Sequence, residues 1–169
     1  NYEALDKMME TLTLFCDMRS KYQVGEALFQ QAIEQLLALN TEAVHTTFTR
    51  LQARYVQIWV LTERHPVPNT IRQRLNDCIT LAEQRGERET IALCLWLQGK
   101  LARIENNLSE AIFVYEKALI YNEQLDNDYY IGRILRGMVY SSFAVNWGRA
   151  NDLNQRHLNV TRSIGDRSG

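Results

Sequence analysis

The sequence holds only two prolines, Pro66 and Pro68, and eight glycines. Both residue types interrupt helices, so their scarcity suits a mostly helical chain. Cysteine is equally sparse: Cys16, Cys78 and Cys94 form an odd set without a CxxC pair, each in an apolar stretch of helical pattern. They read as buried free thiols in a reducing cytoplasm, not as a disulfide framework. No apolar run approaches the roughly 18 residues a membrane span needs, and no signal peptide is visible. Formal net charge is -1, so the chain as a whole has no bias toward nucleic acid or an acidic membrane. The chain starts at Asn1 and stops at Gly169 within repeat-like sequence, which reads as a fragment of a longer protein.

What is present is a chain of 169 residues, 46% of them hydrophobic, enough for one ordinary domain with a core. A short phrase recurs three times: Leu51-Gln52-Ala53-Arg54-Tyr55-Val56, Leu97-Gln98-Gly99-Lys100-Leu101-Ala102 and Leu135-Arg136-Gly137-Met138-Val139-Tyr140. A second helical pattern follows each copy. Recurrence at this interval is the signature of stacked helical repeats, which usually bind and rarely catalyse.

Apolar spacing of three and four residues predicts eight helices, over residues 2–19, 23–39, 42–63, 70–85, 87–105, 108–125, 128–146 and 148–164. Asn107 followed by Glu110, and Thr70 followed by Gln73, resemble capping boxes. Asp126-Asn127-Asp128 offers caps for the seventh helix. In the sixth, Leu108, Ile112, Tyr115, Leu119 and Tyr121-Asn122 trace one face. Short connections make consecutive helices antiparallel. The helices pair over residues 1–40, 41–86, 87–126 and 127–169 within one domain, 1–169. Gly25, Ile71, Ala111 and Ala150, near the starts of the second helices, are spaced 46, 40 and 39 residues apart. Ala53, Gly99 and Gly137 align on the first helices, where a small residue lets two helices approach closely.

The segment from Ala92 to Leu125, with Gly99, Ala111, Tyr115 and Ala118 at the motif's places, resembles the tetratricopeptide repeat. The other copies are degenerate: the fourth keeps Gly137 and Ala150 but has Asn154 and His157 where Tyr and Ala are usual. Repeats of about 40 residues, against the usual length of roughly 34, and the terminal Ser163-Ile164-Gly165-Asp166-Arg167 are similar to those of large bacterial LuxR/MalT-like activators and signal-transducing ATPases. The resemblance implies an all-α fold of antiparallel helix pairs stacked as a right-handed superhelix, an α-solenoid, with first helices lining a concave groove. It also implies a protein-interaction or regulatory sensor module that takes a peptide, another domain of the same chain or an effector. A small-inducer-binding domain and the non-catalytic scaffold of a multidomain enzyme are the alternatives.

No catalytic constellation or cofactor site is apparent. His45, His65 and His157 lie far apart with no ligand partner at a metal-binding spacing, and they read as ordinary surface or loop residues. Counting from three residues before each small anchor gives three candidate groove sets: Arg50, Arg54 and Gln57; Trp96, Lys100 and Arg103; Ile134, Met138 and Ser141. Such a face grades from basic to apolar and suits an acidic-and-apolar peptide, with guanidinium forks for carboxylates and Trp96 as an apolar anchor. Gly25, Ala53, Gly99, Ala111, Tyr115, Ala118, Gly137 and Ala150 are expected to carry the packing between repeats. Trp59, Trp147 and Tyr129-Tyr130 are expected to fill contacts between helices. Exposed repeat ends would permit self-association; direct nucleic-acid or membrane binding is not expected.

Overall fold

The computed structural model describes residues 2–39, 44–143 and 146–165. Every regular element among them is a helix: α1 (Tyr2–Met18), α2 (Tyr22–Leu39), α3 (Val44–Leu61), α4 (Asn69–Arg85), α5 (Arg88–Ile104), α6 (Leu108–Gln124), α7 (Asp128–Phe143) and α8 (Trp147–Ser163). None of them is long and apolar enough to cross a membrane. The all-α expectation and the eight helices therefore stand. The start expected for the third helix at residue 42 lies outside the described residues.

Helix ends follow local chemistry. Asn107 caps α6: its side-chain oxygen accepts from the Glu110 N–H at 3.4 Å, and its amide donates to Glu110 Oε2 at 2.6 Å. The box closes through two side chains, so the carboxylate also sits near the positive end of the helix. Replacing Asn107 with alanine is expected to cost about 1 kcal/mol, read as a lower urea midpoint; an unchanged midpoint would remove the cap from the account. Asn127 caps α7 by accepting from Tyr130 N–H at 3.3 Å, and Asn146 caps α8 by accepting from Arg149 N–H at 3.0 Å.

Two expected boundaries differ. Thr70 does not cap α4, which starts one residue earlier; Pro68 stands at its N-cap without a side-chain cap bond. Proline there supplies extended backbone, and its carbonyl accepts from Ile71 and Arg72. Asn146, expected inside the seventh helix, instead stands outside α7 as the cap of α8.

Four helices end in the same backbone motif. Ser20, Gly86, Asn106 and Asp126 adopt positive φ of 51°, 65°, 61° and 50°. In each case the next residue's N–H bonds back to a carbonyl five residues earlier: Lys21 to Cys16, Glu87 to Ala82, Asn107 to Ala102 and Asn127 to Asn122. These satisfy carbonyls that the helix leaves open.

The chain forms two compact units, Asn1–Thr90 and Ile91–Gly169, so the boundary falls inside α5. In the first unit α1, α2 and α3 pack mutually and α4 lies against α3. Its core includes Met9, Cys16, Phe29, Ile33, Leu51 and Ile58. Gly25 permits the approach of α2 to α1 and α3. A Cβ built there would stand 2.9 Å from Cys16 Sγ and 3.3 Å from Ile58 Cδ1.

In the second unit the buried Tyr115 of α6 reaches between α5 and α7. A Cβ at Gly99 would lie 2.6 Å from Tyr115 Cδ1, and one at Gly137 would lie 2.6 Å from Tyr115 Cζ. Both distances are below any real carbon contact, so the two glycines admit the two sides of one aromatic ring. Ala111 and Ala118 are fully buried on the same helix, as are Ala53 in α3 and Ala150 in α8. Arg149 and Arg156 of α8 pair with Glu116 and Glu123 of α6. Both helices advance seven residues between the pairs, so α6 and α8 run in the same direction.

Candidate functional site

On α3, Arg54 and Gln57 are brought together: Arg54 Nη1 donates to Gln57 Oε1 at 2.9 Å. Arg54 Nη2 also approaches Glu10 Oε1 of α1 at 3.9 Å. Gln57 itself is buried. Arg50, one turn earlier, turns away to Glu87, with Nε 3.8 Å from Oε2. Glu87 is a buried carboxylate at the start of α5. Oε2 accepts from the Thr90 hydroxyl at 3.0 Å, while Oε1 faces Arg85 Nη1 at 3.8 Å, beyond hydrogen-bond reach. Arg85 completes the group by donating to Thr49 Oγ1 at 3.0 Å.

A second polar network in the first unit joins α2, α3 and α4, and local sequence patterns do not reveal it. Arg64 Nη2 donates to Glu26 Oε2 at 2.7 Å, and its guanidinium lies 5.2 Å over the Trp59 ring. Arg74 lies 4.7 Å over Tyr55 and donates to Gln52 Oε1 at 2.6 Å. Burial, followed by the Glu26 charge, pushes the Tyr55 phenol above its ordinary value. The phenol therefore keeps its proton in the fold at a pH where the unfolded chain has lost it. The sign is a stability contribution present below the ordinary tyrosine value and lost as pH rises through the raised one. Tyr55 and Trp59, four residues apart, place both rings on one side of α3.

In the second unit, Trp96 is buried and meets the Tyr130 ring edge-on at 5.3 Å; the Arg133 guanidinium lies 5.9 Å from it. Lys100 and Arg103, also from α5, are partly exposed. Ile134, Met138 and Ser141 of α7 are all buried, and the Ser141 hydroxyl donates to the Gly137 carbonyl at 3.0 Å. Of the nine candidates, Arg50, Arg54, Lys100 and Arg103 reach solvent in part, and the other five are packed inside.

Two expectations about single residues are corrected. His157 is buried, not a surface residue, because it lies on the same stripe of α8 as buried Ala150 and Thr161. Trp147 is not packed inside between helices: it is 72% exposed, although its ring meets Phe143 of α7. It opens α8 directly after the Asn146 cap and lies off that stripe.

Trp147 belongs to a surface that the apolar periodicity did not single out. Its ring lies 5.0 Å from Phe143, and the Arg136 guanidinium lies 5.8 Å from the Tyr140 ring. Tyr140 and Phe143 are 54% and 44% exposed. Arg136, Tyr140 and Phe143 recur at helical spacing along the narrow strip of α7 left outside its buried sector.

No protein-family model matches this chain, and no curated protein does either. The arrangement of side chains is thus the basis for a functional reading. Among the described residues no group of three His, Cys, Asp or Glu could hold a metal ion. Among the candidates just described, the groups that reach solvent are guanidinium, ammonium and aromatic. They can bind carboxylates and apolar side chains through charge-assisted hydrogen bonds and ring contacts.

Proposed function

We propose that this chain is a tetratricopeptide-like repeat module that binds an acidic-and-apolar peptide segment, supplied by another protein or by another domain of its own chain. Its setting would be a larger bacterial signalling or transcription-regulatory protein in the cytoplasm. The observation that carries the reading is the seating of Tyr115 between Gly99 and Gly137. A ring on a second helix, wedged between small residues of two first helices, is how stacked helix pairs share one core. Such stacks devote their remaining surface to recognition. Each unit carries partly exposed positive charge on a first helix: Arg50 and Arg54 on α3 in the first, Lys100 and Arg103 on α5 in the second. Binding would act on attached domains by favouring one of their states through differential contact.

An array of short peptides probed with the chain tests this. Captured sequences are expected to be rich in Asp, Glu and large apolar residues. Arg54→Glu with Lys100→Glu is expected to weaken them by about tenfold or more, as loss of charged hot-spot contacts does. An array with no such enrichment, or capture unaffected by the double charge reversal, sinks the reading.

A further inference from the structure

The strip formed by Arg136, Tyr140, Phe143 and Trp147 is unlike the other exposed apolar positions of the second unit. Phe113 is exposed with the Lys117 ammonium over it, Nζ lying 4.3 Å from the ring centroid. Ile120 and Ile164 are exposed aliphatic side chains that offer no ring. Single exposed apolar residues are ordinary, but adjoining large ones mark an interaction surface. Here three aromatic side chains follow one another from the C-terminal half of α7 to the start of α8. Two of them are in direct ring contact, and a guanidinium faces the third.

The sequence that carries the strip is one-sided in charge. From Tyr129 to Asn151 the sequence contains Arg133, Arg136 and Arg149 and no acidic residue, although the whole chain has 20 Asp and Glu against 19 Lys and Arg. Arg149 is engaged by Glu116, and Arg133 lies over Tyr129 and Trp96. Arg136 is exposed beside Tyr140, with its guanidinium at the edge of the aromatic surface. The complement of such a surface is an apolar side chain flanked by carboxylates. The aromatic rings offer large contact area at low entropic cost, and the arginine fork sets the sign of the partner.

We infer that this strip is the anchoring site for an acidic peptide carrying a large apolar side chain, with Trp147 and Phe143 gripping that side chain and Arg136 binding an adjacent carboxylate. The inference rests on the interaction-module reading and places a peptide anchor within the second unit, on α7 and the start of α8. A nucleic acid strand would also stack on aromatic rings. The near-balanced charge of the chain and the single well-exposed arginine on the strip favour a peptide, because strand binding needs several phosphate contacts.

The test uses fluorescence anisotropy with the full chain and a labelled peptide of alternating glutamate and phenylalanine. Comparison probes are a lysine–phenylalanine peptide and oligo-dT. The acidic peptide is expected to bind, to weaken with salt, and to bind far better than the basic one. Trp147→Ala and Arg136→Glu are each expected to weaken it by about tenfold or more. Arg162→Glu, an exposed charge reversal on α8, is expected to stay within about twofold. Both strip residues are exposed, so circular dichroism melts should match the parent protein and separate lost binding from lost folding.

Absence of binding by the acidic peptide overturns the inference, as does binding that survives Trp147→Ala and Arg136→Glu. Equal binding of the basic peptide overturns the assigned charge preference. Tighter oligo-dT binding that is lost in the same variants would reassign the strip to nucleic acid. A concentration-dependent dimer abolished by Trp147→Ala would reassign it to a second copy. Peptide capture lost with Arg54→Glu and Lys100→Glu but intact in the strip variants would remove this site while leaving the interaction-module reading standing.

Discussion

Replacing Tyr115 with alanine is expected to be the most damaging single substitution in the second unit, costing about 3–5 kcal/mol. The ring is buried, and it touches the backbone environment of two helices beyond its own, at Gly99 of α5 and Gly137 of α7. Cavity costs depend on how well the surroundings can collapse. Here both walls are glycine positions, which offer no side chain to move into the vacated space. The upper part of the range therefore applies, a large fraction of the roughly 5–15 kcal/mol that stabilises an ordinary domain. Urea unfolding followed by circular dichroism measures the loss; a change below about 1 kcal/mol would show that the ring is not wedged.

Gly137→Ala is expected to destabilise the protein by about 1–2 kcal/mol, the balance of two opposed effects. Alanine improves a helix interior by about 1 kcal/mol over glycine. Against that, the new methyl would stand 2.6 Å from Tyr115 Cζ and 2.8 Å from its hydroxyl oxygen. The ring cannot retreat toward α5, because its other side is already at the Gly99 backbone. Overpacking of this kind costs about 1–3 kcal/mol, and the pinned ring argues for the high end. The decisive measurement is the double-mutant cycle. In a Tyr115→Ala background the same Gly137→Ala change is expected to be neutral or stabilising, since only the propensity gain remains. Additive effects would contradict the shared-ring geometry.

Much of this fold was legible in the sequence because its signals are local. Caps such as Asn107 and Asn127 and the apolar spacing of three and four placed the helix ends within a few residues. The recurrent small residues marked Gly99 and Gly137, and the helix-six pattern included Tyr115. What remained obscure depends on how much of each helix circumference neighbours cover. Counting back three residues from a buried glycine rotates only about one sixth of a turn, which keeps Trp96 and Ile134 near the buried sector. On α7 that sector is wide, taking in Tyr130, Ile131, Ile134, Leu135, Met138 and Val139. The accessible strip is what it leaves over, and its aromatic residues look like core residues in the sequence. On α6 the expected packing residues Ala111 and Ala118 do lie within the buried stripe, while Leu108 and Ile112, expected on the same face as Tyr115, sit at its margins. The arginine networks were illegible for a different reason. Arg64 meets Glu26 across 38 positions, and Arg74 meets Gln52 across 22.

The placement of the three cysteines has a further consequence. Cys16 and Cys78 lie in the first unit and Cys94 in the second, all buried as free thiols. Burial pushes the Cys16 thiol up, which keeps it in its unreactive protonated form. Each unit therefore carries its own chemical clock: a thiol reagent can advance only when the surrounding helices open. Labelling rates at Cys94 compared with Cys16 and Cys78 would time the breathing of the two halves of the molecule separately, with no probe added.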